Sequence, residues 1–277
     1  MALDTPSLTN DVKACRARNS MMFSVNSRSF QVFLVSLVFV IVTGTWEFLV
    51  RWLDVPAYVL PGPIAIVEQL WKLFGQNAFW WNFAMTICEV TFGYLLGIVI
   101  AVILGVAIAL VPLLDRSLMP YVVAFQTIPS VALAPIFLLW FGYGIGSKVV
   151  MAAIIAFFPI LVNVIAGLQA SGRDEIQMLK SFGATKTQIL FKVRIPNSLP
   201  YVFAGLALGA VFALVGTIVA EFVGAQAGLG KMILQFNEQL NIAGMFAVLI
   251  VLAMIGMLMH SAIAYIRKRV VFWNGDN

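Results

Sequence analysis

The chain has 277 residues, of which 62% are apolar and 10% charged, with a mean hydropathy of +0.99. A soluble domain is about half apolar and a quarter charged, so a soluble fold is excluded and an integral membrane protein is indicated. The net charge of +5 points to a nucleic-acid partner only if the placement of the basic residues is ignored. Anionic headgroups and a partner at the membrane surface explain it better.

Residues 1–29 form a polar tail. Apolar runs long enough to cross a hydrocarbon core of about 30 Å, which takes roughly 20 helical residues, follow at Phe30 to Val50, Phe83 to Val111, Leu118 to Phe141, Val149 to Leu168, Tyr201 to Val223 and Ile242 to Ile266. The expected fold is therefore an all-α integral membrane protein of six transmembrane helices. The first run is read as an uncleaved span, because no small-residue cleavage site precedes Arg51 and Trp52. Cys15 lies in the tail and Cys88 in a span, so neither a disulfide nor a paired-thiol metal site is expected.

Of the 17 basic residues, all but Arg51, Lys72, Lys148 and Lys231 fall in the tail, at Arg116, in the segment 171–200 or at Arg267 to Arg269. The positive side of a membrane protein is normally cytoplasmic, which puts both termini and the segment 171–200 inside. The domain reading is thus a cytoplasmic tail, 1–29, and one transmembrane domain, 30–277.

Within the first span Glu47 stands one turn before Arg51 in the favourable acid-first order, as a structural pair. The turn signal Leu60-Pro-Gly-Pro63 precedes Ile64, Val67, Leu70, Trp71 and Phe74 at helical spacing, a short amphipathic helix at the outer interface. The second span carries a seam of small residues at every fourth position, Gly93, Gly97, Ala101, Gly105 and Ala109. A second seam, Gly205, Gly209, Ala213 and Thr217, leads to Glu221 in the fifth span. Such seams let helices cross closely, either in packing within the chain or as a subunit interface or a moving contact.

The third span contains Pro120, Pro129 and Pro135. Irregular backbone at membrane depth is tolerated where protein covers it or where it lines a wet cavity. Gln126, Thr127, Pro129 and Ser130 are accordingly candidates for a pathway or gate, the other reading being a packing kink. Ionisable residues inside spans need a role or a neighbour. Glu89 is either a buried hydrogen-bonding or partner-facing group or a translocation residue, and Glu221 either caps or braces the glycine-rich stretch Gly224 to Gly230 or touches the pathway. Both join the pathway candidates. His260, the lone histidine, cannot form a metal site and is read as packing.

Gly224 to Lys231 imitates a phosphate loop but has Ala225 where a glycine and Met232 where a hydroxyl residue are required. No catalytic constellation, cofactor site or ATP motif is found.

The segment 171–200 has its own logic. Ser171 with Asp174 reads as a helix start, Ile176, Leu179 and Phe182 form an apolar stripe, and Gly183 supplies a left-handed stop. Thr185 with Gln188 forms a second capping box, and Pro196 is expected to force a bend before the fifth span. A short amphipathic helix of this kind suits a groove on another protein.

The spacing Gly183, nine residues, Val193, one residue, Ile195-Pro196 resembles the coupling segment of binding-protein-dependent ABC importer permeases. Their Glu-Ala-Ala positions fall here on Gln177, Met178 and Leu179. Leu60-Pro61, Pro129, Pro135, Trp140-Phe-Gly142, Gly146-Ser-Lys148, Glu221 and Gly228-Leu-Gly230 are similar to the nitrate, sulfonate and taurine branch, with pyrimidine-type thiamine-precursor and riboflavin systems close by.

The resemblance implies a type I ABC importer permease (MetI-like) fold in a bacterial inner membrane, and a non-catalytic transport subunit. Its partners would be two ATP-binding subunits carrying ATP and Mg, a second permease copy as a homodimer, membrane lipid and an external substrate-binding protein, with no nucleic acid. Gln177, Met178, Leu179, Phe182, Gly183, Ala184 and Pro196 would couple to the ATPase. The cargo would be a small organic or oxyanion nutrient, sulfonate-, taurine- or nitrate-like, or a pyrimidine or riboflavin-type compound. The alternative is a secondary transporter or channel that ATP does not drive.

Overall fold

The computed structural model describes residues 28–273, so most of the polar tail, with Cys15, lies outside the described residues. The chain divides into two compact units, Met1–Val67 and Glu68–Asn277.

In the first unit helix α1 (Arg28–Trp52) is apolar around its whole circumference, and Phe33, Val35, Phe39 and Val40 are all exposed. Such a helix is stable in lipid rather than water. Near its end Arg51 Nε donates to Glu47 Oε1 at 2.6 Å, so the expected pair forms. Glu47 does more than pair, because its Oε2 accepts the amide of Ile64 at 3.2 Å and so caps α2 (Pro63–Phe74). Gly62 passes so close that a Cβ there would fall 2.5 Å from Glu47 Oε2.

On α2 itself the expected stripe is not the buried one. Ile66 and Leu73, two turns apart, are buried, whereas Ile64, Val67 and Trp71 are exposed. Burial therefore selects a narrow pair, and the apolar residues left outside are those that an interfacial helix presents to headgroups.

The second unit opens with an aromatic cluster. Phe79, fully buried, meets Phe74, Trp80 and Phe83 at centroid distances of 5.4, 5.2 and 6.1 Å, and Trp80 Nε1 donates to the Phe74 carbonyl at 3.0 Å. Helix α3 (Asn77–Leu110) then runs for 34 residues, about 51 Å at 1.5 Å per residue, more than a hydrocarbon core requires.

The expected third span is not one helix. Helix α4 (Pro112–Thr127) and a following 3₁₀ turn (Ser130–Leu133) with α5 (Ala134–Phe141) meet at 88°. The three prolines account for this differently. Pro120 sits inside α4, Pro135 occupies the first turn of α5, and Pro129 holds Ile128 in extended backbone, φ −70° and ψ 127°. A residue before proline is pushed out of the helical region, so the break falls at Ile128–Pro129. The described residues thus contain five helices long and apolar enough to cross a membrane, or six spans if the bent pair counts as one.

Helix α6 (Ile145–Gln169) is the centre of this unit, packed most extensively against α3 on one side and α9 (Ile195–Gly224) on the other. Both small-residue seams resolve into these two contacts. A Cβ on Gly97 would lie 2.8 Å from the Ala153 carbonyl oxygen, and one on Gly209 would lie 2.6 Å from the Ile160 side chain. Helix α10 (Leu229–Glu238) turns back over the end of α9 to α11 (Ile242–Val270), which packs on α9 and α10.

Candidate functional site

Three places in the second unit are candidates among the described residues: the two ends of α9 and the α4–α5 break. The first is at the Gly224 end of α9. After Gly224 the chain turns at Gly228, whose φ of +132° is left-handed, and begins α10. The first amides of a helix have no partner inside it, and here side chains from neighbouring helices supply them. Gly228 N donates to Asn82 Oδ1 at 2.7 Å, Leu229 N to Thr86 Oγ1 at 2.8 Å and Gly230 N to Glu221 Oε2 at 2.5 Å. The Thr86 hydroxyl donates its own proton to Glu221 Oε1 at 2.7 Å, so one side chain links α3, α9 and α10. The fit explains both glycines, since a Cβ on Gly228 would overlap the Glu221 carboxyl and one on Gly230 would lie 2.8 Å from Glu221 Oε2.

Lys148, in the first turn of α6, completes this clasp. Its ammonium group donates to the carbonyls of Tyr143 at 2.6 Å, Gly144 at 3.0 Å and Gly224 at 3.0 Å, which uses all three of its protons. Thr86, Glu89, Lys148 and Glu221 are exposed by 0, 2, 1 and 1%. The Glu89 carboxyl lies against that of Glu221, and the Lys148 charge acts on both. Glu89 Oε2 has no hydrogen-bond partner. Buried charges survive only in such company, because desolvation costs several kcal/mol per ion unless opposite charge and hydrogen bonds offset it.

Glu89 and Glu221, expected separately from the sequence, are thus brought together, and Glu221 braces the glycine-rich turn. Lys148 is expected from the sequence as one of the basic residues on the outer side and as part of the Gly146-Ser-Lys148 resemblance, but not as a partner of the two carboxylates. A signal for it exists: one cation at the start of an apolar span, with two carboxylates near the corresponding ends of two others.

The second place is the α4–α5 break. Gln126, Thr127 and Pro129 are exposed and Ser130 is half-buried. Thr127 Oγ1 donates to the Ala124 carbonyl at 2.7 Å, satisfying a carbonyl of its own last turn. These four residues sit on an element separate from the clasp.

The third place is at the Ile195 end of α9. Helix α7 (Arg173–Ser181) is capped by Gly172 and not by Ser171, whose hydroxyl is buried without a partner. The expected first capping box is therefore absent, and Asp174 and Glu175 instead place negative charge in the first turn, where the helix dipole favours it. The stop is as expected: Gly183 has φ +79°, Gly183 N donates to Lys180 O at 2.9 Å and Ala184 N to Leu179 O at 3.0 Å. This is the paired bonding of a Schellman ending.

Thr185 and Gln188 form the reciprocal capping box at 2.8 and 3.3 Å, opening α8 (Lys186–Ile189). No helix break falls at Pro196, since helical structure continues from Lys186 to Gly224. A π-helical turn, Leu190–Arg194, takes the strain. Its wider winding relieves the clash that a proline ring makes with the carbonyl four residues back. Gln177, Met178 and Phe182 are exposed, Phe182 by 80%, while Leu179, Ala184 and Pro196 are half-buried. Glu175 Oε2 accepts from Asn197 Nδ2 at 3.1 Å, tying α7 to the start of α9.

A bundle of long apolar helices with one broken span and a capped polar segment defines a multi-pass membrane protein. Residues 93–272 match the family described as binding-protein-dependent transport system inner membrane component. The chain is 35% identical to the formylaminopyrimidine transport permease protein ThiX of Halalkalibacterium halodurans, over 89% of this chain and 98% of that one. It is 33% identical to the riboflavin transport system permease protein RibX of Chloroflexus aurantiacus, over 83% and 86%. The fold is similar to a chain of the MetNI methionine ABC transporter in an inward-facing conformation, with a TM-score of 0.57, 23% identity and coverage of 76% of this chain and 98% of that one.

The chain belongs to the binding-protein-dependent transport system inner membrane component family. It is a membrane-embedded permease subunit of an ABC importer, a multi-pass inner-membrane protein that works within a binding-protein-dependent system. Membership in this family replaces the secondary-transporter reading.

Proposed function

We propose that residues 30–277 form one permease domain, with both termini and the segment 171–200 in the cytoplasm and the clasp on the outer side. Two copies of the chain enclose the pathway, two separate ATP-binding subunits hydrolyse ATP with Mg, and an external binding protein delivers the cargo. The segment around α7 docks on the ATPase: Met178 and Phe182 enter its groove, Gln177 and Leu179 flank them, and Gly183 and Ala184 close the helix. Pro196, beside the π-helical turn, passes the displacement into α9.

One observation carries this reading. A short helix closed by a left-handed glycine holds Met178 and Phe182 exposed by 57% and 80%, an arrangement that costs free energy in water and is stable once a partner covers it.

On the outer side, Gln126, Thr127, Pro129 and Ser130 line the gate, and Glu89 and Glu221 serve it from behind as part of the brace. The cargo is a small organic or oxyanion nutrient. The names of the two relatives at 35 and 33% identity favour a nitrogen heterocycle of the pyrimidine or riboflavin type over a sulfonate. Calorimetric titration of the cognate binding protein with formylaminopyrimidine, riboflavin and taurine tests the choice, which fails if taurine alone binds. Uptake into vesicles holding the permease, with and without the ATPase and ATP, tests the whole; uptake that needs neither would overturn it.

A further inference from the structure

We infer that Asn82, Thr86, Lys148 and Glu221 form a rigid lock that joins α3, α6, α9 and α10 into one body. On the same grounds, access at the clasp end changes by movement of the α4 arm about the Ile128–Pro129 break. The inference rests on the reading of the chain as a transporting permease.

The first ground is the bonding. Three consecutive amides, Gly228 to Gly230, are held by side chains from α3 and α9, and Lys148 joins the start of α6 to the last residue of α9. Parting any of these helices would strand buried charge and amides without their partners, a cost that would recur in every transport cycle.

The second ground is steric. Below the clasp the Gly97 and Gly209 contacts with α6 leave no room even for a methyl group. Helices that interlock at backbone distance resist sliding and have no loose layer of side chains to repack.

The third ground is the contrast with α4. Extended residues flank it at both ends, Val111 with φ −114° and ψ 103°, and Ile128. Only Val122 is buried along its 16 residues, and Thr127 bonds within its own turn. Residues that absorb φ/ψ change at element ends are what a hinge consists of. Beyond the break, α5 meets the block through Ala134 and Phe137 against Met151, Ile155 and Ala220, apolar contacts without directional bonds. Among the described residues of one chain the lock is therefore held by directional polar bonds, and α4 is held to the block by none.

Spin labels test this in the assembled transporter, with permease, ATPase and binding protein reconstituted together. The label sites Trp81 on α3, Phe222 on α9 and Tyr121 on α4 are exposed. They are changed to cysteine in pairs in a Cys15→Ser, Cys88→Ser chain, diluted with unlabelled chain. Between the nucleotide-free and ATP-trapped states the 81–222 distance should stay fixed and the 81–121 distance should shift.

A shift of 81–222 overturns the lock, and a fixed 81–121 in a transporter that still takes up cargo overturns the arm. Failure of ATP-dependent uptake in every preparation counts instead against the permease reading.

Lys148→Met, which removes the three bonds to the Tyr143, Gly144 and Gly224 carbonyls, should broaden the 81–222 distribution and lower uptake. If that variant does not fold, Asn82→Ala, which removes a single acceptor at the rim, should broaden 81–222 more mildly. A distribution as narrow as in the unaltered chain, in either variant, overturns the positioning role of these residues.

Discussion

At the Gly224 end of α9 side chains from α3, α6 and α9 bond to one another, to loop carbonyls and to the first amides of α10 out of reach of water. At its Ile195 end, among the described residues, one side-chain bond, Glu175 to Asn197, ties α7 to α9. Exposure of apolar groups is reversed as well. Leu229, Met232 and Ile233 of α10 are buried, whereas Met178 and Phe182 of α7 are not. One end of the same helix is therefore complete in itself, and the other is finished only by a partner. Replacements at the clasp should register in the stability of the isolated chain, and replacements in the coupling segment in the work of the assembled transporter.

The largest effect that would break this contrast is expected at Glu221. Glu221→Ala removes the acceptor for Gly230 N and Thr86 and leaves Lys148 with less opposing charge, so it should cost about 3–5 kcal/mol. A large fall in the melting temperature of the detergent-purified chain is the readout; a melting curve that matches the unaltered chain refutes the clasp as a source of stability.

Gly228→Ala comes next. Its φ of +132° with ψ 162° is a region that glycine almost alone adopts, worth about 1–3 kcal/mol of strain, and the added Cβ meets Glu221. The same melting experiment should place it below Glu221→Ala in severity.

Gly183→Val sharpens the other side. A β-branched residue at φ +79° should distort the end of α7 and abolish coupled uptake, while the chain inserts and melts almost as before. Normal uptake with normal stimulated ATPase activity would sink the coupling role of this glycine.

The smallest effect belongs to Thr185→Ala. It removes the capping box at a cost of about 0.5–2 kcal/mol confined to one short helix. Faster amide exchange around Lys186 to Gln188 should report it, with the melting temperature of the chain unchanged.

Much of the molecule is legible in the linear chain because its determinants are local. Five spans arise from unbroken apolar runs of membrane length, and the Gly183 stop and the Thr185–Gln188 box from residue types at fixed short spacing. Two local readings fail, each for a reason of context. Ser171 is buried against neighbours and cannot cap α7, and Pro196 is absorbed by a π-helical turn. The interruption at Pro129 is legible in the chain, but its 88° angle is not.

The sequence by itself determined that this protein lives in a bilayer, where its helices run and that one polar segment is shaped for a partner, because hydropathy and capping act over a few turns. Only the tertiary structure decided what Lys148, Glu89 and Glu221 do. Thr86 and Glu221 are 135 residues apart in the chain and 2.7 Å apart in space. The periodicity of the small-residue seams on α3 and α9 marks which faces pack closely but not which helix they meet. Both meet α6, and this brings the three helix ends close enough for a lysine and two glutamates to share one dry site.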